Sequence, residues 1–207
     1  MMKHIKVLFF IFAVLLLSCK GSEPNPPYSY EANPHYAWGY AEFYGAYYAN
    51  QGVKILNNTF SISLFSDSLG LTNKGALVGY GQYLFLEDVF LSTFTTKLSA
   101  GKYTINESAK PFTVFAGKND TIDSEVYTIG AYISYYEQNT AKSKIKLISS
   151  GSFDVKMVND SVYNIVCNFK TSDSLKLIGS FEAVLPHFDQ SLLPKKVGSR
   201  NRFKLNI

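Results

Sequence analysis

Few residues in this 207-residue sequence are arranged for covalent chemistry. There is no Gly-x-Ser-x-Gly elbow, no His-Glu-x-x-His and no Cys-x-x-Cys. Gly70 and Gly75 have P-loop spacing, but Ala76 stands where a lysine must grip phosphate, so the match fails. Beyond His4, only His35 and His187 remain, each beside a proline in an expected loop. They are too few for a zinc site or a Ser-His pair, and no metal or cofactor is expected. Cys167 runs in phase with Ile165 and Phe169, the position of a buried structural thiol rather than a nucleophile. Glycosidase chemistry needs two carboxylates about 5–9.5 Å apart across the sugar. Glu87 and Asp88 are adjacent, and adjacent strand residues point to opposite faces, so they form no local pair. Asp120, Asp123 and Glu125 have oxygens that calcium would accept, but without EF-hand spacing they read as a solvated turn. No enzymatic activity is expected.

The strongest binding signal is aromatic. Residues 28–48 carry nine aromatic side chains, among which Tyr36, Trp38 and Tyr40 alternate. On one strand these three share a face. Exposed, they make a flat platform of the kind that stacks on the C–H faces of sugars. Buried, they are core, the commoner fate of side chains that carry about 150–250 Å² each.

The stretch Leu16-Leu17-Ser18-Cys19 closes a short apolar run that begins at Val7, behind Lys3, His4 and Lys6. It resembles the lipobox of bacterial exported lipoproteins of the Bacteroides type. The resemblance implies cleavage before Cys19 and acylation of its thiol, a two-chain anchor. Eleven apolar residues from Val7 to Leu17 are too few for a helix that spans ~30 Å of hydrocarbon. The expected organisation is a signal peptide over 1–18, a proline-rich tether over 19–27 and one domain over 28–207. The location implied is the cell envelope, lipid-anchored at the outer membrane. A second resemblance is to the Asp-Ser/Thr-apolar acceptor motif of O-glycosylated proteins from the same group. It would place glycans on Ser68, Thr121, Ser161 and Ser174, each in an expected turn or at its edge.

Removing residues 1–18 leaves 189, enough for one domain with a sizeable core. Lys3 and Lys6 leave too, so 18 basic residues face 16 acidic ones, a near-balance that argues against nucleic acid. With Cys19 acylated, Cys167 has no intrachain partner and no disulfide framework is possible. Tyr (15) and Phe (16) are abundant, a bias toward sheet.

These residues must be positioned by strands. Residues 36–48 read as strand rather than helix. In 59–66, Phe60, Ile62 and Leu64 alternate with Thr59, Ser61 and Ser63, predicting a half-buried strand with its hydroxyls in water. Residues 69–81 read as glycine-rich loop, with a strand possible at 76–78. Residues 83–91 fit a doubly covered strand or a short helix. Residues 117–120 read as a turn, and 126–136 as one long strand. Three strands over 145–157, 163–170 and 175–185 form an antiparallel meander, with a turn or bulge at Ser149-Ser150-Gly151. The basic tail, Lys195 to Lys204, ends in an alternation of Phe203, Leu205 and Ile207 that suits an edge strand.

The sequence therefore predicts an all-β fold, an antiparallel β-sandwich or alternatively a closed, lipocalin-like barrel. The expected function is non-enzymatic binding of a glycan or a cell-envelope partner. Strand addition to an assembly partner and enclosure of a small apolar ligand are the alternatives.

Overall fold

A computed structural model describes residues 29–122, 124–138 and 144–192. The leader, Cys19, the tether, Asp123 and the basic tail with its expected edge strand lie outside these residues. The described chain is all-β. Its strands are β1 (His35–Tyr36), β2 (Trp38–Gly45), β3 (Asn58–Phe65), β4 (Leu69–Leu71), β5 (Leu77–Leu91), β6 (Gly101–Ile105), β7 (Thr113–Val114) and β8 (Lys118–Ile122). They continue with β9 (Glu125–Ile129), β10 (Ala131–Glu137), β11 (Lys144–Met157), β12 (Val162–Thr171), β13 (Lys176–Leu177), β14 (Ser180–Val184) and β15 (His187–Asp189). A single 3₁₀ turn, Ala49–Gln51, interrupts the loop after β2.

Thirteen strands form one mixed sheet in the order β1-β14-β12-β11-β6-β7-β5-β3-β2-β15. β10 bridges β5 and β11, β13 lies against β12, β4 lies against β5, and β8 and β9 form a separate hairpin. The sheet is not wholly antiparallel as expected: β1–β14, β6–β7 and β15–β2 are parallel. All three exceptions are two or three residues long, made where connecting segments run back along the sheet. β14 and β15 are separated only by Leu185-Pro186, yet β14 pairs with β12 and β15 with β2. One segment thus joins β15, at one end of the strand order, to β14, next to its other end, and Ala41 N of β2 donates to Pro186 O of that segment at 2.8 Å. The order fits a sandwich and a barrel alike.

Alternating side chains from every long strand meet in one interior. Phe60, Ile62 and Leu64 of β3, Leu84, Leu86 and Val89 of β5, and Ile165, Cys167 and Phe169 of β12 all belong to it. Each such side chain contributes about 1.5–3 kcal/mol by leaving water. The expected meander forms as β11, β12 and β14, and Ser149-Ser150-Gly151 is a bulge within β11 rather than a turn. Gly151 at φ +116° approaches Asn168 O so closely that a Cβ would sit 2.2 Å from it.

Several expectations are corrected. The expected loop over 69–81 is instead a hairpin of β4 and the start of β5. Its two strands pair Leu69 with Gly79 and Leu71 with Leu77. The expected turn at 117–120 is strand from Lys118 onward, the first residues of β8 paired with β9. The expected long strand over 126–136 is two, β9 and β10, broken at Gly130 with φ +77°. His35 and His187 lie in β1 and β15, not in loops. Thr59, Ser61 and Ser63 are buried rather than wet, because a second apolar layer covers the outer face of β3.

Candidate functional site

That second layer is the candidate site. Cross-strand register sets the outer residues of β2, β3, β5 and β10 in rows. The first row runs Trp38, Phe65, Tyr83 and Ser134, and the second runs Tyr40, Ser63, Phe85 and Tyr132. Directly opposed residues on antiparallel strands approach within about 4.5–5.5 Å, so each row is a line of contacts.

The first row is closed. Trp38 stacks on Phe65 with centroids 4.1 Å apart and planes 11° from parallel, and Phe65 stacks on Tyr83 at 5.6 Å. The β4–β5 hairpin roofs it. Leu69 and Leu77 complete a small cluster with Phe65 and Tyr83, Trp38 Nε1 donates to Leu69 O at 2.8 Å, and the Tyr136 hydroxyl donates to Leu77 O at 3.0 Å.

The second row is only half covered. Tyr40, Phe85 and Tyr132 are half-buried around the small, buried Ser63. Phe85 and Tyr132 pack at 5.2 Å, and Tyr40 meets exposed Phe188 of β15 edge-on at 5.9 Å. Burial pushes the phenol of Tyr40 well above its usual 10, with the Ser63 hydroxyl offsetting part of that. Burial raises Tyr83 likewise. Both stay neutral near pH 7.

Below the second row lies a line of carboxylates. Glu42 faces Ser61 across β2–β3. The Ser61 and Tyr44 hydroxyls both donate to Glu42 Oε2 at 3.1 Å, and Gln190 Nε2 donates to Oε1 at 3.2 Å. On the other side of Ser61 the ladder skips: Phe60 pairs with Val89 and Ile62 with Leu86, so two residues of β5 oppose one of β3. Those two are Glu87 and Asp88. Leu86 and Val89 both face the interior, so both acids are carried to the outer side of the sheet. This corrects the expectation that they point to opposite faces, since strict alternation does not survive a β-bulge. Asp88 takes φ +59°, a left-handed conformation that asparagine and aspartate tolerate better than most residues. Tyr48 donates its hydroxyl to Asp88 Oδ2 at 2.8 Å, and Gly130 N donates to Glu87 Oε2 at 3.0 Å. With strands about 4.8 Å apart, Glu42 and the bulge sit roughly two strand spacings from each other, with Ser61 between. Among the described residues, no three His, Cys, Asp or Glu side chains are grouped to hold a metal ion.

The expected platform is thus divided. Tyr36 lies in β1 against β14 and is fully buried in the interior, while Trp38 and Tyr40 are on the outer face of β2. The alternation 36, 38, 40 presumes one strand; the chain leaves the strand at Ala37 and changes partners, which reverses the face. Phe65, Phe85, Tyr132 and the serine floor were not singled out from sequence. Their signal was present in the nearly unbroken apolar run 83–91, which requires cover on both faces.

No family model, curated protein or solved structure matches the chain. Neither a family nor a relative therefore suggests catalysis.

The remaining sequence candidates are dispersed. Cys167 is buried in the interior, and burial pushes its thiol far above the usual value. Ser68, Ser161 and Ser174 are exposed in turns or bends or beside them, and Thr121 is exposed in β8 near the hairpin tip rather than in a turn. Ser174 follows a turn that Thr171 closes by accepting from Leu175 N at 3.0 Å.

Proposed function

We propose that this chain is a non-enzymatic, lipid-anchored protein of the cell envelope whose β-domain binds a glycan on the outer face of β2, β3, β5 and β10. The supporting observation is the second row: half-buried Tyr40, Phe85 and Tyr132 around a floor no larger than Ser63. Aromatic faces take the apolar C–H surface of a sugar, and the neighbouring, half-buried carboxylate of Glu42 accepts from its hydroxyls. Adjacent polar acceptors and aromatic walls around a small floor are the usual composition of a small-molecule site. The anchor is Cys19 and the place is the outer membrane, on the strength of the lipobox resemblance. Glycans on Ser68, Thr121, Ser161 and Ser174 fit the same exported state, and an unshifted intact mass from the native host would remove that part of the reading.

The test is a glycan-array screen of residues 20–207, followed by titration of any hit with Trp38 fluorescence as reporter, this being the one tryptophan of the sequence. Tyr40→Ala should weaken binding up to about tenfold, the loss of one stacking contact of at most about 1.5 kcal/mol, while the protein still melts cooperatively. Trp38→Ala is the more disruptive variant, because it also removes the stack on Phe65 and the bond to Leu69. Binding that is unchanged in a folded Tyr40→Ala protein, or no binding to any glycan, would overturn the proposal.

A further inference from the structure

Where β3 begins and β5 ends, three loops meet: 46–57, 92–100 and 106–112. Two asparagines tie them together. Asn58 Nδ2 donates to Thr93 O at 3.1 Å and Thr95 O at 2.9 Å, and Asn57 Nδ2 donates to Ala109 O at 2.7 Å. Apolar side chains stand out from each loop: Val53 is 46% exposed, Leu56 67%, Phe94 95% and Phe112 40%. Isolated exposed apolar residues are ordinary, but four at one end of a domain are not. The charges of the three loops are one-sided. Lys54, Lys97 and Lys110 are all exposed, against the single acid Glu107, whose Oε1 accepts from Ala116 N at 3.0 Å.

We propose that this end of the domain inserts its loop tips into the surface of an anionic lipid bilayer. A protein partner would call for a continuous packed patch of about 800 Å², whereas here the apolar groups project from separate loops. Separate tips suit a fluid phase that closes around each of them. Val53, Leu56 and Phe94 enter the boundary between headgroups and acyl chains. The lysine stems follow along the apolar surface and leave their ammonium groups among the lipid phosphates. The inference concerns the loops alone and does not rest on acylation of Cys19 or on the glycan reading.

Phe94 is so exposed that changing it leaves the fold intact, which makes it the probe. In the full chain with Cys19→Ser and Phe94→Cys, the one accessible thiol among the described residues is at 94, because Cys167 is buried. An environment-sensitive fluorophore there should shift to the blue and be quenched by spin-labelled lipid in vesicles of phosphatidylcholine and phosphatidylglycerol. It should do neither in pure phosphatidylcholine. The same label at Ser68→Cys, in the turn that follows the other end of β3, should report water throughout. Replacing Lys54, Lys97 and Lys110 together by glutamine should lower partitioning on the order of a hundredfold at low salt, about fivefold for each lysine. An unshifted label at 94, equal shifts at 94 and 68, or a shift at 94 that requires an added protein rather than lipid would each overturn the inference.

Discussion

At Cys167, burial decides reactivity. The thiolate is the reactive form, and the same apolar surroundings that exclude water hold the proton on sulfur. A thiol reagent should therefore leave Cys167 untouched in the folded protein and react with it at the rate of global unfolding, which a urea series with a chromogenic disulfide would read. Cys167→Ser puts a hydroxyl into the interior cluster and should cost about 1–3 kcal/mol by equilibrium denaturation. Reaction of native protein as fast as of a free thiol would show that β12 opens locally. The buried serines of the outer face obey a different rule. Ser61 is satisfied by its bond to Glu42, so Ser61→Ala should cost about 1 kcal/mol, the net worth of one hydrogen bond whose acceptor keeps other donors.

Among the elements, the break between β9 and β10 shows what a single residue can impose. Gly130 holds φ +77°, and a Cβ there would stand 2.1 Å from Ala116 O. Because the obstacle is backbone, no rotamer change relieves it, and Gly130→Ala should destabilise by more than about 2 kcal/mol and lower the melting temperature clearly. Sequence alternation over 126–136 cannot reveal this break, because Gly130 falls between two stretches that each alternate correctly. The same limit explains the aromatic residues. Alternation establishes which residues share a face only while the strand continues, and the chain leaves the strand at Ala37. Elements with one face in the interior and clear turns at both ends, such as β3, β11 and β12, were legible. The inward residues of β3 and β12 are the ones expected. In β11 Phe153 and Val155 are, but Ile145 and Met157, which the alternation puts with them, are exposed, and Ile148 beside the bulge is buried instead. The outer layer was not, because serine and threonine at alternate positions look identical whether water or aromatic rings lie above them. The bulge at Glu87-Asp88 was hidden for a related reason: it depends on how β5 registers against β3, which neither strand encodes by itself.

For the molecule as a whole, the decisive region is the join of β14 and β15, where one short segment links β15 at one end of the strand order to β14 near the other. His187 sits there at the start of β15, its ring edge-on to Phe60 at 5.8 Å and tilted against Tyr163 at 5.3 Å. Burial holds its pKa below the usual 6.5, and Lys97 adds to the effect, while a backbone hydrogen bond at Leu185 opposes it. The unfolded chain therefore takes up this proton before the folded one. Where the unfolded state binds more protons, stability falls with falling pH. The contribution of His187 is constant above about pH 6.5, declines as the pH drops through that value, and levels off once the folded ring is itself protonated. Asp173 and Asp189 also have lowered values, from 3.8, through bonds to Lys146 and Ser191 respectively. Their losses fall in a separate and more acidic window. Melting temperatures taken between pH 7.5 and 5 should thus decline in the parent protein, and His187→Gln should flatten that decline while lowering the plateau, since its amide replaces the ring between Phe60 and Tyr163. A parent curve already flat across this range would mean that the β14–β15 join accepts a charged imidazole between Phe60 and Tyr163 without loss.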